Sequence, residues 1–69
     1  MDSSVIRSFI YDQTDERLVI IFRTGRKYVY DGVPPAVHAA LLQAPSKGQF
    51  FNAEIRDKYP FHELKRPAA

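Results

Sequence analysis

The sequence predicts an α+β domain: a three-stranded antiparallel meander followed by two helices packed on one face of the sheet. Three observations predict it. Arg17 to Arg23 and Arg26 to Tyr30 are stretches rich in β-branched and aromatic residues, split by a turn that contains Gly25. Pro34-Pro35 then opens a segment in which Val33, Val37 and Leu41 recur every four residues. Finally, Ser46 stands ahead of Gln49, Phe51 and Ile55, a capping box followed by an apolar pair on one helix face.

The first strand runs from Ser4 to Tyr11. Strict alternation puts Val5, Arg7, Phe9 and Tyr11 on one face and Ile6, Ser8 and Ile10 on the other, and neither face is cleanly apolar. A bulge near Arg7-Ser8 would instead bring Ile6 and Phe9 to the same side, so the register stays open. Asp12 to Glu16 is polar and serves as a hairpin loop. In the second strand Leu18, Ile20 and Phe22 share a face, with Val19 and Ile21 behind them. A type I turn with Gly25 in the left-handed conformation sets Phe22 opposite Arg26, Ile20 opposite Tyr28 and Leu18 opposite Tyr30. A plain two-residue loop would pair Ile20 with Val29. The bulged turn is preferred because it gathers the larger side chains on one face. Val19, Ile21 and Val29 remain on the other, which two short helices do not fully cover.

Pro45 ends the first helix, on which His38 and Leu42 lie beside the Val33–Val37–Leu41 stripe. Ser46 caps the second. Phe51 and Ile55 face the core with Phe50 at its edge, while Gln49, Asn52 and Arg56 take the polar side. Tyr59-Pro60 closes this helix, because the residue before proline avoids helical angles. Phe61 to Leu64 forms a short edge strand or packs down without one, and residues 65–69 fray.

A chain of 69 residues has room for one domain, with its core over about residues 3–64. It carries no cysteine, so packing alone must hold it together. At 45% hydrophobic and 26% charged it has a globular composition. Met1-Asp2-Ser3-Ser4 lacks the basic and apolar regions of a signal peptide, and the longest apolar run, Leu18 to Phe22, is too short for a bilayer; a cytoplasmic chain without a membrane partner is expected. Net charge is +2. Between Leu18 and Gly48 the one acid, Asp31, stands against Arg23, Arg26, Lys27 and Lys47, which marks a locally basic surface.

The ordered set Ser4, Ile6, Tyr11, Leu18-x-Ile20-x-Phe22, Gly25, Tyr28-x-Tyr30, Val33-Pro34, Leu41, Ala44, Ser46-x-Gly48, Phe51-Asn52, Ile55 and Tyr59 resembles the KTSC domain family. That family is named for its occurrence at the C-terminus of some lysyl-tRNA synthetases. The likeness spans roughly Ser3 to Leu64; Pro35 and Phe50 depart from the pattern. It implies a free-standing bacterial member of the family and, through the association with a tRNA-handling enzyme, RNA binding.

Tyr28 and Tyr30 share a face and could stack bases, as aromatic pairs do on RNA-binding sheets. The competing assignment, a core position with the hydroxyls at the rim, is favoured by Leu18, Ile20 and Phe22 beside them. Arg23, Arg26 and Lys27 cluster at the hairpin tip, suited to phosphate contacts or simply to solvation. Lys47 and Arg56 extend that surface if the helices bring them round. Ser46-Lys47-Gly48 at a helix start could hold an anion, but Gln49 argues for ordinary capping, and the glycine spacing of a phosphate loop is missing. His38 and His62, without cysteine, do not make a zinc site, and His38 is expected as a packing residue. Ser46, His38 and Asp31 could be drawn as a catalytic trio, but nothing in their spacing joins them.

The expectation is therefore a monomeric, non-enzymatic binding module without cofactor or metal. Its partner is RNA, either tRNA or a single strand, bound through Arg23, Arg26, Lys27, Tyr28, Tyr30, Lys47 and Arg56. The alternative is a protein-interaction module using an apolar sheet face or an edge strand.

Overall fold

The computed structural model describes residues 6–64. Ser4 and Val5 of the expected first strand, and the tail at 65–69, lie outside the described residues. Three strands come first: β1 (Ile6–Asp12), β2 (Arg17–Phe22) and β3 (Lys27–Asp31). Two helices follow, α1 (Pro35–Gln43) and α2 (Lys47–Glu54), and then a short β4 (Phe61–Glu63). The sheet is antiparallel throughout, in the order β1-β2-β3-β4.

Register settles which side chains share the covered face. In β1 the pairing shifts between Ile6, opposite Phe22, and Ser8, opposite Ile21. Arg7 is the extra residue, so Ile6, Phe9 and Tyr11 fall on one side. Leu18 faces Tyr30 and Ile20 faces Tyr28, as the bulged turn requires. That face carries the core: Ile6, Leu18, Ile20 and Tyr30 from the sheet are buried together with Val33, Leu41, Phe51 and Ile55. Phe22 and Val37 are partly buried against this cluster.

The helices begin and end for local reasons. Pro34 is the N-cap of α1 and Pro35 its first residue. Ala44, held extended by Pro45, stops it at φ −66°, ψ 135°. Ser46 caps α2, its Oγ accepting from the Gln49 backbone N–H at 3.3 Å. α2 ends at Glu54, earlier than the expected close at Tyr59-Pro60. Ile55, fully buried, leaves helical geometry at φ −122°, ψ −45°. The chain then turns so that the Pro60 carbonyl accepts from the Asp31 N–H at 2.9 Å and Phe61 pairs with Tyr30. Sheet pairing overrides the local tendency to continue the helix.

Among the described residues no helix lies over the reverse face of the sheet. Ile10 and Leu64 are exposed there, beside half-buried Val19 and Ile21, while Val29 on the inner strand β3 is buried. No helix among the described residues is long and apolar enough to cross a membrane.

Candidate nucleic-acid interface

Three pieces of chain meet at one end of the covered face: the β2–β3 turn, the C-terminal end of α2, and β4. The turn is closed by the Gly25 N–H donating to the Phe22 carbonyl and the Phe22 N–H donating to the Arg26 carbonyl, both at 2.9 Å. Gly25 sits at φ 94°, a conformation that L side chains resist. This tight turn projects Arg23 and Arg26 into solvent. From the other side, the Ile55 and Arg56 N–H groups both donate to the Phe51 carbonyl, at 3.0 and 2.9 Å, as the chain unwinds from α2. Arg56 emerges exposed, and one of its guanidinium nitrogens donates to Asn52 Oδ1 at 3.4 Å.

Between these pieces lies a cleft of about 770 Å³. Its floor is aromatic: Phe22, Tyr28, Tyr30, Phe51 and Phe61. Tyr30 meets Phe51 edge-on, with centroids 5.3 Å apart, and stacks on Phe61 at 5.2 Å. Tyr28 joins Phe22 edge-on at 5.6 Å and Phe61 at 5.7 Å. Such contacts hold each ring in place. Arg23, Arg26 and Arg56 stand at the rim, with Asp57 the one acid among the described residues that line the cleft. Among the described residues the ion pairs are made by Arg17, to Asp31 at 3.3 Å and to Asp15 at 4.0 Å, while His62 Nδ1 lies 4.0 Å from the Asp31 carboxylate. The three rim arginines make none there.

The two tyrosines divide the roles that the sequence left open. Tyr30 is core, 3% exposed. Burial raises its hydroxyl pKa above the ordinary value of 10.0, opposed by the Arg56 charge and reinforced by Tyr28 and Asp57. Tyr28 is half-buried and contributes to the floor.

Five of the seven expected binding residues thus line one cleft, and two do not. Strand alternation puts Lys27, opposite Ile21, on the reverse face. Lys47 Nζ donates to the Leu42 and Ala44 carbonyls, at 3.2 and 3.0 Å, closing the end of α1. Phe61 is the residue missed, because its place beside Tyr30 depends on a strand pairing across both helices.

The histidines lie elsewhere. His38 stacks on Tyr11 with centroids 4.3 Å apart and meets Phe9 edge-on, so it packs as expected. The Tyr11 hydroxyl donates to the Val33 carbonyl at 2.6 Å, tying β1 to the start of the helices. His62 is on the reverse face, paired with Val29. Among the described residues no group of three His, Cys, Asp or Glu side chains is placed to hold a metal ion.

A four-stranded meander closed on one face by two short helices defines a small α+β domain. Comparison with known proteins narrows this further. The family model of the KTSC domain matches residues 2–59, and the chain belongs to that family. A crystal structure of a KTSC domain protein from Yersinia pestis superposes with a TM-score of 0.87 at 37% identity, covering 94% of this chain and 92% of that one. A lysine–tRNA ligase of Nostoc punctiforme is 46% identical over 63 residues, which is 91% of this chain. The chain spans only 11% of that ligase's length. A Stutzerimonas stutzeri protein is 39% identical over 59 residues, with 83% of its own length matched.

Proposed function

We propose that this chain is a non-enzymatic RNA-binding module of the cytoplasm, and that the arginine-rimmed cleft is where RNA lies. The observation that carries the reading is the convergence of Arg23, Arg26 and Arg56 on one aromatic cleft without an ion-pair partner among the described residues. Guanidinium groups that are not engaged by carboxylates are suited to phosphate oxygens, which they hold bidentately. The likeness to lysine–tRNA ligases supports RNA over other polyanions. Lys27 and Lys47 are left out of the contact surface, since one faces away and the other closes α1.

The neighbouring charges Arg26 and Lys27 give the test. Fluorescence anisotropy with a tRNA and with an unstructured single strand, over a range of salt, should show Arg26→Glu weakening binding to both. It should also flatten the salt slope by about 0.7–0.9 per lost phosphate contact. Lys27→Glu should leave affinity within about twofold, because only long-range electrostatics then change. Absence of binding to either RNA at low salt would overturn the RNA role. In that case the uncovered reverse face, with Ile10 60% and Leu64 48% exposed, favours a protein-interaction module.

A further inference from the structure

We infer that the cleft takes a single unpaired nucleobase of an RNA strand, stacked against Phe61 and Tyr28, with the flanking phosphates held by Arg23, Arg26 and Arg56. This rests on the RNA-binding reading above and adds the state of the RNA to it. Phosphate attraction alone calls for a basic surface and no aromatic floor. Here the arginines surround a floor of rings, so the complementary ligand is flat, apolar on its face and anionic at its edge. Phe61 makes the case sharper. It stacks on Tyr30 along one side, yet remains 52% exposed at the mouth of the cleft. A base laid on that ring would cover the surface that water now covers. The cleft, at about 770 Å³, lies within the range of small-ligand sites, roughly 300–1,000 Å³.

A duplex cannot satisfy this site. Its base faces are stacked on one another, so it presents phosphates to the arginines and leaves the floor wet. An unpaired base in a loop or single strand has a face free, and aromatic stacking tolerates any base because every base has a π-face. The inferred preference is therefore for unpaired RNA with little sequence discrimination.

The test compares three probes of equal length on the whole chain at low salt: a 12-nucleotide unstructured RNA, the same strand annealed to its complement, and an abasic strand. The single strand should bind at least tenfold more tightly than either of the others. Phe61→Leu keeps an apolar side chain and removes the π-face. It should weaken single-strand binding about tenfold and leave duplex and abasic binding within twofold. With four tyrosines and no tryptophan, the chain also reports on itself: tyrosine emission should be quenched by the single strand and not by the abasic strand. Equal affinity for the three probes, without quenching, would overturn base insertion and leave the RNA role standing. No binding of any probe would overturn both. A mononucleotide competing as tightly as the strand would overturn the strand as ligand. If Phe61→Leu lowers the melting midpoint, the three-probe comparison on the unaltered chain decides alone.

Discussion

Arg26 and Lys27 are adjacent in sequence and serve opposite sides of the molecule. Charge density along the chain marks both; only the parity of the strand separates them, and parity depends on the turn at Gly25. Lys47 has the same history. Its charge is visible in the sequence, but its reach back to the Leu42 and Ala44 carbonyls depends on the extended break at Ala44 that separates the two helices. Strand parity alone puts Tyr28 and Tyr30 on one face; the rings packed against Tyr30, Phe51 and Phe61, are distant in sequence. Two tyrosines carry a pH consequence. Burial raises the pKa of Tyr30, and burial followed by the Glu16 and Asp12 charges raises that of Tyr11, above 10.0. A raised folded-state pKa favours the protonated fold, so its contribution is complete below pH 10 and is lost as pH climbs through the folded value. Melting midpoints measured from pH 8 to 11 should fall across the upper part of that window. Tyr11→Phe, which loses the bond to Val33, should melt below the unaltered chain at pH 8, with the gap narrowing towards pH 11.

The elements that were legible are those whose signals are local. The β2–β3 register follows from one glycine and from the larger side chains sharing a face, and the start of α2 from Ser46 and Gln49. Ser46→Ala should cost about 1 kcal/mol, since the Gln49 N–H loses its acceptor; a urea titration would measure it. Phe51 belongs to α2 but touches the sheet through Phe22 and Tyr30. Phe51→Ala should cost about 3–5 kcal/mol, enough to unfold much of a domain this size, and an unchanged melting midpoint would contradict the packing. The early end of α2 is not legible, and β4 is legible only as one of two alternatives for Phe61 to Leu64, an edge strand or packing without one. Three residues are too few to show a period, and their pairing partner stands on the far side of two helices. The β1 bulge was one of two readings; the structure chooses it because it turns Ile6, Phe9 and Tyr11 together towards the core.

At the scale of the whole molecule, two layers produce two unlike surfaces. The helices close one face of the sheet and, where they stop short, leave the cleft; the other face stays open. The family resemblance is readable because its residues, among those described, are mostly buried or half-buried and fix the fold. The cleft was readable only in fragments, because its walls come from a turn, a helix end and a last strand.

That last strand has a consequence in time. β1, β2 and β3 join through tight hairpins, which form in about 1–10 μs, whereas β4 must close a loop containing both helices. It is also the shortest strand, held by Asp31 N–H to the Pro60 carbonyl and Leu64 N–H to the Lys27 carbonyl at its two ends. The segment that completes the cleft is therefore the one expected to dock last and to detach first, while the rest of the fold stays closed. Native-state hydrogen exchange should find the Asp31 and Leu64 amides opening at a lower free energy than that of Ile20 in the central hairpin. Occupancy of the cleft should slow that exchange, so that the ligand, by pinning Phe61, finishes the sheet.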